Sequence, residues 1–97
     1  MANRVTMNIC GEEYTLVAEE NAAYMEKVGE LVDRKMAELM DATHMGRSDA
    51  AVLTAVNLAD DLFKAQENAD NLRRQLKAYL DEISELKRQI FRAQNKR

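Results

Sequence analysis

The chain has 97 residues, with no proline, no tryptophan and a formal net charge of −3. A chain of this length forms one domain at most and leaves little material for a deep catalytic cleft beside a core. Its acidity argues against bulk nucleic-acid binding, because affinity for phosphate backbones depends on clustered Lys and Arg.

The cysteine content and the hydropathy pattern predict a cytoplasmic protein. Cys10 is the single cysteine, so no internal disulfide can form, and no charged and apolar leader precedes it. No apolar run approaches the roughly 20 residues that a membrane span requires.

The first segment has the pattern of a β-hairpin. Residues 4–9 alternate between apolar and polar side chains, which is the period of a half-buried strand. After an interruption at Gly11, residues 14–17 continue with β-branched and aromatic side chains. We therefore predict a hairpin over about residues 4–17 that turns near Gly11. A lone hairpin is marginal in water and needs a helix against its apolar face.

The spacing of apolar residues changes to three and four from about residue 20, as in Met25, Val28 and Val32. This spacing predicts an amphipathic helix over about residues 20–44.

Three polar or flexible residues indicate where this first helix ends and the next begins. Gly46 is placed to adopt the left-handed conformation that ends a helix, and Ser48 or Asp49 to cap the following one.

Gly29 lies inside the first helix, where glycine costs about 1 kcal/mol relative to Ala. It is either a tolerated surface glycine or a mark of close helix packing.

The second half of the chain carries an unbroken heptad pattern, typical of a coiled coil. The a positions are Leu62, Ala69, Leu76, Ile83 and Ile90, and the d positions are Leu58, Ala65, Leu72, Tyr79 and Leu86. Nothing breaks the helix from Asp49 to about Gln94, and about 46 residues at 1.5 Å each give a rod of about 70 Å. Such a rod cannot be covered by its own chain, so the pattern predicts an oligomer.

The width of the apolar pattern predicts where the coiled coil leaves the head. Between residues 51 and 63 a second apolar flank is present, as in a helix buried nearly all round. The added side chains are Val52, Leu53, Val56 and Phe63. We therefore predict an α+β fold with a head over residues 1–63, including residues 49–63 of the long helix, and a coiled-coil tail over residues 64–97. Leu80, at an e position, widens the tail pattern and would let two dimers pair into a four-helix bundle.

No catalytic or metal site is predicted. His44 is the single histidine, Cys10 has no activating base nearby in sequence, and neighbouring carboxylates on a helix point in different directions. Three isolated glycines match no nucleotide-binding fingerprint. The chain is therefore predicted not to be an enzyme and to need no cofactor, although a small regulatory subunit of an enzyme stays open.

Residues 86–97 hold five bases and no acid. A basic helix end of this kind is usually solvated and favoured by the helix dipole. The alternative is that this tip binds nucleic acid or an anionic lipid surface.

The segments VTMNICG at residues 5–11 and AVLTAVNLA at residues 51–59, in a small head on a long helix, resemble the ZapA family of bacterial cell-division proteins. The resemblance extends over almost the whole chain. It implies a non-enzymatic, cytoplasmic partner of FtsZ, the tubulin-like GTPase whose filaments form the mid-cell division ring.

The resemblance also implies an assembly. Family members dimerise through heads and parallel coiled coils, and two dimers join antiparallel, so that FtsZ-binding heads lie at both ends of a homotetramer. A two-ended rod of this kind would bridge and bundle FtsZ protofilaments through avidity and so promote ring assembly and stability.

Family members often carry a basic residue just after the hairpin glycine, where this chain has Glu12 and Glu13. Basic contacts to acidic FtsZ must then come from elsewhere, and the candidates are Arg34, Lys35 and Arg47. Ordinary solubilising charge is the alternative role for each of them.

Overall fold

The computed structural model describes residues 2–96 of the chain. Two strands, β1 (Asn3–Ile9) and β2 (Glu12–Ala18), are followed by helix α1 (Ala22–Thr43) and the long helix α2 (Arg47–Asn95). This confirms the predicted α+β class, with a hairpin, one helix and one long C-terminal helix in that order.

The two strands form an antiparallel hairpin in which Ile9 pairs with Glu12. Cys10 and Gly11 make the two-residue turn, with φ angles of 50° and 82°. Two consecutive left-handed residues match the right-handed twist of the strands, so the turn holds the register of the whole hairpin. The Asn8 side chain supports the turn by accepting a 3.2 Å hydrogen bond from the Gly11 N–H.

Helix α1 begins at a side-chain cap and ends at a left-handed residue. The Asn21 side chain accepts a 2.8 Å hydrogen bond from the Tyr24 N–H, which satisfies one of the free donors of the first turn. At the other end His44 has φ of 58°, and its N–H donates to the Met40 carbonyl at 2.9 Å.

The predicted cap residues between the helices were wrong. His44, not Gly46, takes the left-handed conformation, which histidine tolerates better than most side chains. The Gly46 carbonyl instead accepts a 3.0 Å hydrogen bond from the Ala50 N–H, so it belongs to the start of α2. That helix begins at Arg47, ahead of the predicted caps, and Asp49 lies in its first turn.

The core of the head lies where α1 crosses the hairpin. Its buried apolar side chains are Val5, Ala18, Met36 and Ala50. Gly29 is also buried, and a Cβ on it would lie only 2.8 Å from the Met7 sulfur. Close packing is therefore the correct interpretation of Gly29, with strand β1 as the close neighbour.

The first turns of α2 are buried on one side and open on the other. Ala50 and Thr54, four residues apart on one face, are buried, whereas Val52, Leu53 and Val56 are exposed. Phe63 is exposed as well. The predicted burial nearly all round was wrong for the single chain, because the small residues and not the large ones meet the head.

The contacts within the chain divide it into a unit that ends at Ala59 and a unit that begins at Asp60. The second unit is helical, and its surface carries ion pairs such as Lys64–Asp60 at 2.8 Å and Lys77–Asp81 at 3.0 Å. The hydrogen bond and charge of Asp60 raise the pKa of Lys64 above its ordinary value. These pairs reinforce an exposed helix at spacings of one turn.

Candidate functional site

An open apolar groove of about 420 Å³ lies in the head. Its walls come from the hairpin, from the middle of α1 and from the first turns of α2. The lining residues are Met7, Ile9, Tyr14, Leu16, Val32, Met36, Arg47, Ser48 and Ala51. The hairpin contributes every second residue, because alternate side chains of a strand point to the same face. A groove with these walls offers contact to apolar side chains and carries no nucleophile–base pair.

Beside the groove, the hairpin tip is held by both helices. The Cys10 N–H donates a 2.7 Å hydrogen bond to Oδ1 of Asp33 in α1. From the start of α2, Arg47 donates to the Cys10 carbonyl and to Oε1 of Glu12, each at 3.4 Å. The main chain of Cys10 therefore has a partner on each side, and the turn geometry is tied to the positions of both helices.

The three predicted FtsZ contacts lie on the elements that meet at this tip. Arg34 and Lys35 follow Asp33 directly in α1, with Arg34 exposed and Lys35 half-buried. Neither takes part in the ion pairs of residues 2–96. Arg47 differs because it is engaged with Glu12.

Two residues of the head, Asp33 and Thr54, were not predicted from the sequence. Asp33 lies on the same face of α1 as Gly29 and Met36, at spacings of four and three residues. An acidic side chain on this otherwise buried face was the feature of the sequence that could have indicated a polar contact. Thr54 is 2% exposed, and its hydroxyl has no hydrogen-bond partner among the described residues. A buried hydroxyl without a partner is uncommon, and nothing in the sequence distinguishes it from a surface threonine.

In the tail, the heptad positions carry large apolar side chains that the single chain leaves exposed. Exposure ranges from 47% at Ile83 to 64% at Leu72, and Leu80 at the e position is also open. Of the other predicted oligomerisation residues, Leu58 and Ala69 are half-buried. A continuous exposed apolar stripe of this length marks a surface for association.

The described residues hold no group of three or more His, Cys, Asp or Glu side chains placed to bind a metal ion. His44 is exposed at the end of α1, and Cys10 is a half-buried free thiol. Within residues 2–96, neither helix is sufficiently long and apolar to cross a membrane.

Comparison with known proteins places these features in a family. A family model described as "Cell division protein ZapA" matches residues 5–90. The cell division protein ZapA of Bacillus subtilis (strain 168) is 41% identical over 75 residues, which cover 76% of this chain and 88% of the relative. That of Geobacillus kaustophilus (strain HTA426) is 40% identical over 79 residues, covering 80% and 87%.

A solved structure agrees with the sequence matches. It is a ZapA mutant dimer from Geobacillus stearothermophilus, which is 38% identical, has a TM-score of 0.65, and covers 79% of this chain and 91% of the solved one. The family model spans most of the chain, and both the sequences and the fold agree with it. The chain therefore belongs to the ZapA family of cell division proteins.

Proposed function

We propose that this protein binds FtsZ through its head and cross-links FtsZ protofilaments as a two-ended oligomer. It acts in the cytoplasm at the division site and performs no catalysis. The observation that carries the proposal is the exposed heptad pattern of α2 in a chain of the ZapA family. An apolar stripe along one long helix is unfavourable in a monomer, because it stays exposed to water, and it indicates association. A cell division protein with such a stripe is suited to a structural role.

The residues of the stripe favour a particular assembly. Isoleucine at a and leucine at d, as at Ile83 and Leu86, favour parallel two-stranded pairing. Leu80 lies beside Leu76 and Ile83 at helical spacing and is 54% exposed, so it would supply a second apolar seam. Two parallel dimers joined antiparallel through this seam would have heads at both ends.

A head at each end of the proposed oligomer explains how it would cross-link protofilaments. A head that binds one protofilament weakly holds the second head of the rod close to a neighbouring protofilament. The second binding event is then intramolecular, and the avidity can exceed either single affinity by about 10² to 10⁴. Weak head contacts would thus bundle filaments and still allow individual heads to dissociate and rebind.

The head offers basic side chains for an acidic partner. Arg34 and Lys35 are adjacent on α1 and make no ion pair among the described residues, so both charges are available. Complementary charge speeds association and fixes orientation. Arg47 contributes less net charge, because Glu12 neutralises it.

The test is co-sedimentation with polymerised FtsZ. The wild-type protein should pellet with the polymer and increase the pelleted FtsZ. The double variant Arg34→Glu/Lys35→Glu should weaken this binding about ten-fold, equivalent to about 1.4 kcal/mol. Absence of wild-type co-sedimentation would contradict FtsZ as the partner.

A matched control lies in the basic tip. Lys87→Glu/Arg88→Glu changes the same two residue types and the same charge, and it should leave pelleting near the wild-type level. Removal of residues 91–97, which keeps every a and d position named above, should do likewise. Loss of bundling in the tip variants, with folded tetrameric protein, would refute head binding and favour a partner at the C-terminal tip.

A further inference from the structure

The basic tip, residues 86–97, differs in charge from the part of the tail that precedes it. Residues 60–85 hold seven acids and four bases, whereas residues 86–97 hold five bases and no acid. The last acid of the chain is Glu85. A cluster of one sign of charge at the end of a helix creates a positive potential, which attracts an anionic partner.

Most bases of the tip are also free of the ion pairs that occupy the bases before it. Lys64, Arg73 and Lys77 each lie 2.8 to 3.0 Å from an acid three or four residues away. In the described part of the tip only Arg88 has such a partner, Glu85 at 3.2 Å. The bases without an ion pair among residues 2–96 are Lys87, Arg92 and Lys96. Their charges are therefore not cancelled by a neighbouring side chain.

An exposed aromatic ring lies among these free bases. Phe91 is 65% exposed and occupies heptad position b, outside the a and d seam and outside the e flank that holds Leu80. Around the helix, position b is followed by f, c and g, which are Arg88, Arg92 and Lys96 in the tip. The ring and these cations thus form one outer face, which stays exposed when the a and d positions pair with another helix.

A ring beside cations fits a lipid surface better than nucleic acid. In basic interfacial helices, cations bind the headgroups and an aromatic or apolar side chain enters the boundary between headgroups and acyl chains. Nucleic acid would offer the ring only base stacking, and proteins that bind in this way present successive rings to successive bases. Phe91 is the single aromatic residue after Tyr79, so the tip lacks such a series.

We propose that the basic tip docks on an anionic phospholipid surface, with Arg92 and Lys96 at the headgroup phosphates and the Phe91 ring in the boundary beneath them. Each base near such a surface strengthens binding by about five-fold. One tip with three free bases binds weakly, and the parallel pair of the proposed function doubles their number. The docking adds a second contact at the tail and does not require the FtsZ contact of the head.

Flotation with lipid vesicles at physiological ionic strength tests the docking. The full chain is mixed with vesicles of phosphatidylcholine alone or with about 30% phosphatidylglycerol, which supplies the anionic surface. The wild-type protein should rise with the anionic vesicles and not with the neutral ones. Arg92→Gln/Lys96→Gln should bind the anionic vesicles at least about 20-fold more weakly, because two bases are lost from each chain.

A matched control lies earlier in the tail. Arg73→Gln/Lys77→Gln removes the same two residue types and the same charge, at positions that are ion-paired. Lys77 is about 22 Å from Arg92 along the helix, well beyond the Debye length of about 8 Å. The control variant should therefore change vesicle binding by less than about three-fold. Equal weakening in the two double variants would overturn the assignment to the tip.

Fluorescence tests the position of the ring, because the chain has no tryptophan of its own. Phe91→Trp places a single reporter in the tip, and Phe63→Trp places one at the same heptad position, at a side chain 69% exposed. Anionic vesicles should shift the emission of Phe91→Trp to shorter wavelength, and lipids brominated in the acyl chains should quench it. Phe63→Trp should show neither effect. Vesicle binding with unchanged emission of Phe91→Trp would overturn the insertion of the ring.

Two further outcomes would overturn the proposal as a whole. One is a wild-type protein that does not rise with the anionic vesicles. The other is binding of a labelled DNA duplex, dependent on Arg92 and Lys96, at an affinity equal to or higher than that for the vesicles, which would identify nucleic acid as the partner. FtsZ co-sedimentation contains no lipid, so its failure would refute the proposed FtsZ contact and leave the vesicle result standing.

Discussion

The packing of Gly29 against β1 leads to a prediction opposite to that of helix propensity. Replacing glycine by alanine inside a helix normally stabilises by about 1 kcal/mol. At Gly29 the new Cβ would lie 2.8 Å from the sulfur of Met7 and 3.2 Å from its Cβ. The sulfur can move, but the Met7 Cβ is fixed by the strand. Overpacking of this kind costs about 1 to 3 kcal/mol, so Gly29→Ala should destabilise by about 1 kcal/mol net.

Urea unfolding followed by circular dichroism measures this difference, with all variants at one protein concentration because the proposed association would contribute to stability. The control is the same substitution in a Met7→Ala background, where the sulfur is gone. There the 2.8 Å sulfur contact is removed and only the 3.2 Å contact to the Cβ of residue 7 stays, so Gly29→Ala should be less destabilising, with a coupling energy of about 0.5 kcal/mol or more between the two sites. Stabilisation by Gly29→Ala in the wild-type background would refute the close approach of α1 to β1.

Three further predictions concern the hairpin tip, the core and the tail. Asp33→Ala should destabilise by about 1.5 kcal/mol in the same unfolding assay, because the Cys10 N–H loses its 2.7 Å carboxylate partner, and Asp33→Asn should lose less. Thr54→Val should stabilise by about 1 kcal/mol, because it removes a buried hydroxyl without a partner; destabilisation would mean that assembly supplies one. Leu80→Glu should break the proposed tetramer into dimers, as shown by the molar mass from light scattering. A tetramer of this variant at micromolar concentration would contradict the proposed second seam.

The secondary structure was predictable because each element has a strong and different period. Alternation over residues 4–9 predicts the strand, and three- and four-residue spacing from Met25 predicts α1. The exact end of α1 was not predictable from the same pattern. One left-handed residue is needed between the helices, and His44 takes that conformation although Gly46 has the lower intrinsic cost.

The side of α2 that meets the head was not predictable from hydrophobicity alone. Val52, Leu53 and Val56 are the larger apolar residues, yet Ala50 and Thr54 are the buried ones. The hydrophobicity of a side chain indicates that its burial is favourable in free energy, whereas its actual burial depends on which elements approach closely. Small residues permit the closest approach, so Ala50 and Thr54, and not the larger apolar residues, mark the face of α2 that packs on the head.

The pairing of Arg47 with Glu12 decides how the basic head residues should be tested. Arg47 donates both to the Glu12 carboxylate and to the Cys10 carbonyl, so it supports the hairpin tip as well as carrying charge. A variant at Arg47 would free the tip from α2 and leave Glu12 unpaired, and weaker FtsZ binding would then have two explanations. Arg34 and Lys35 make no such contacts among the described residues. Their charge reversal therefore tests recognition without disturbing the turn.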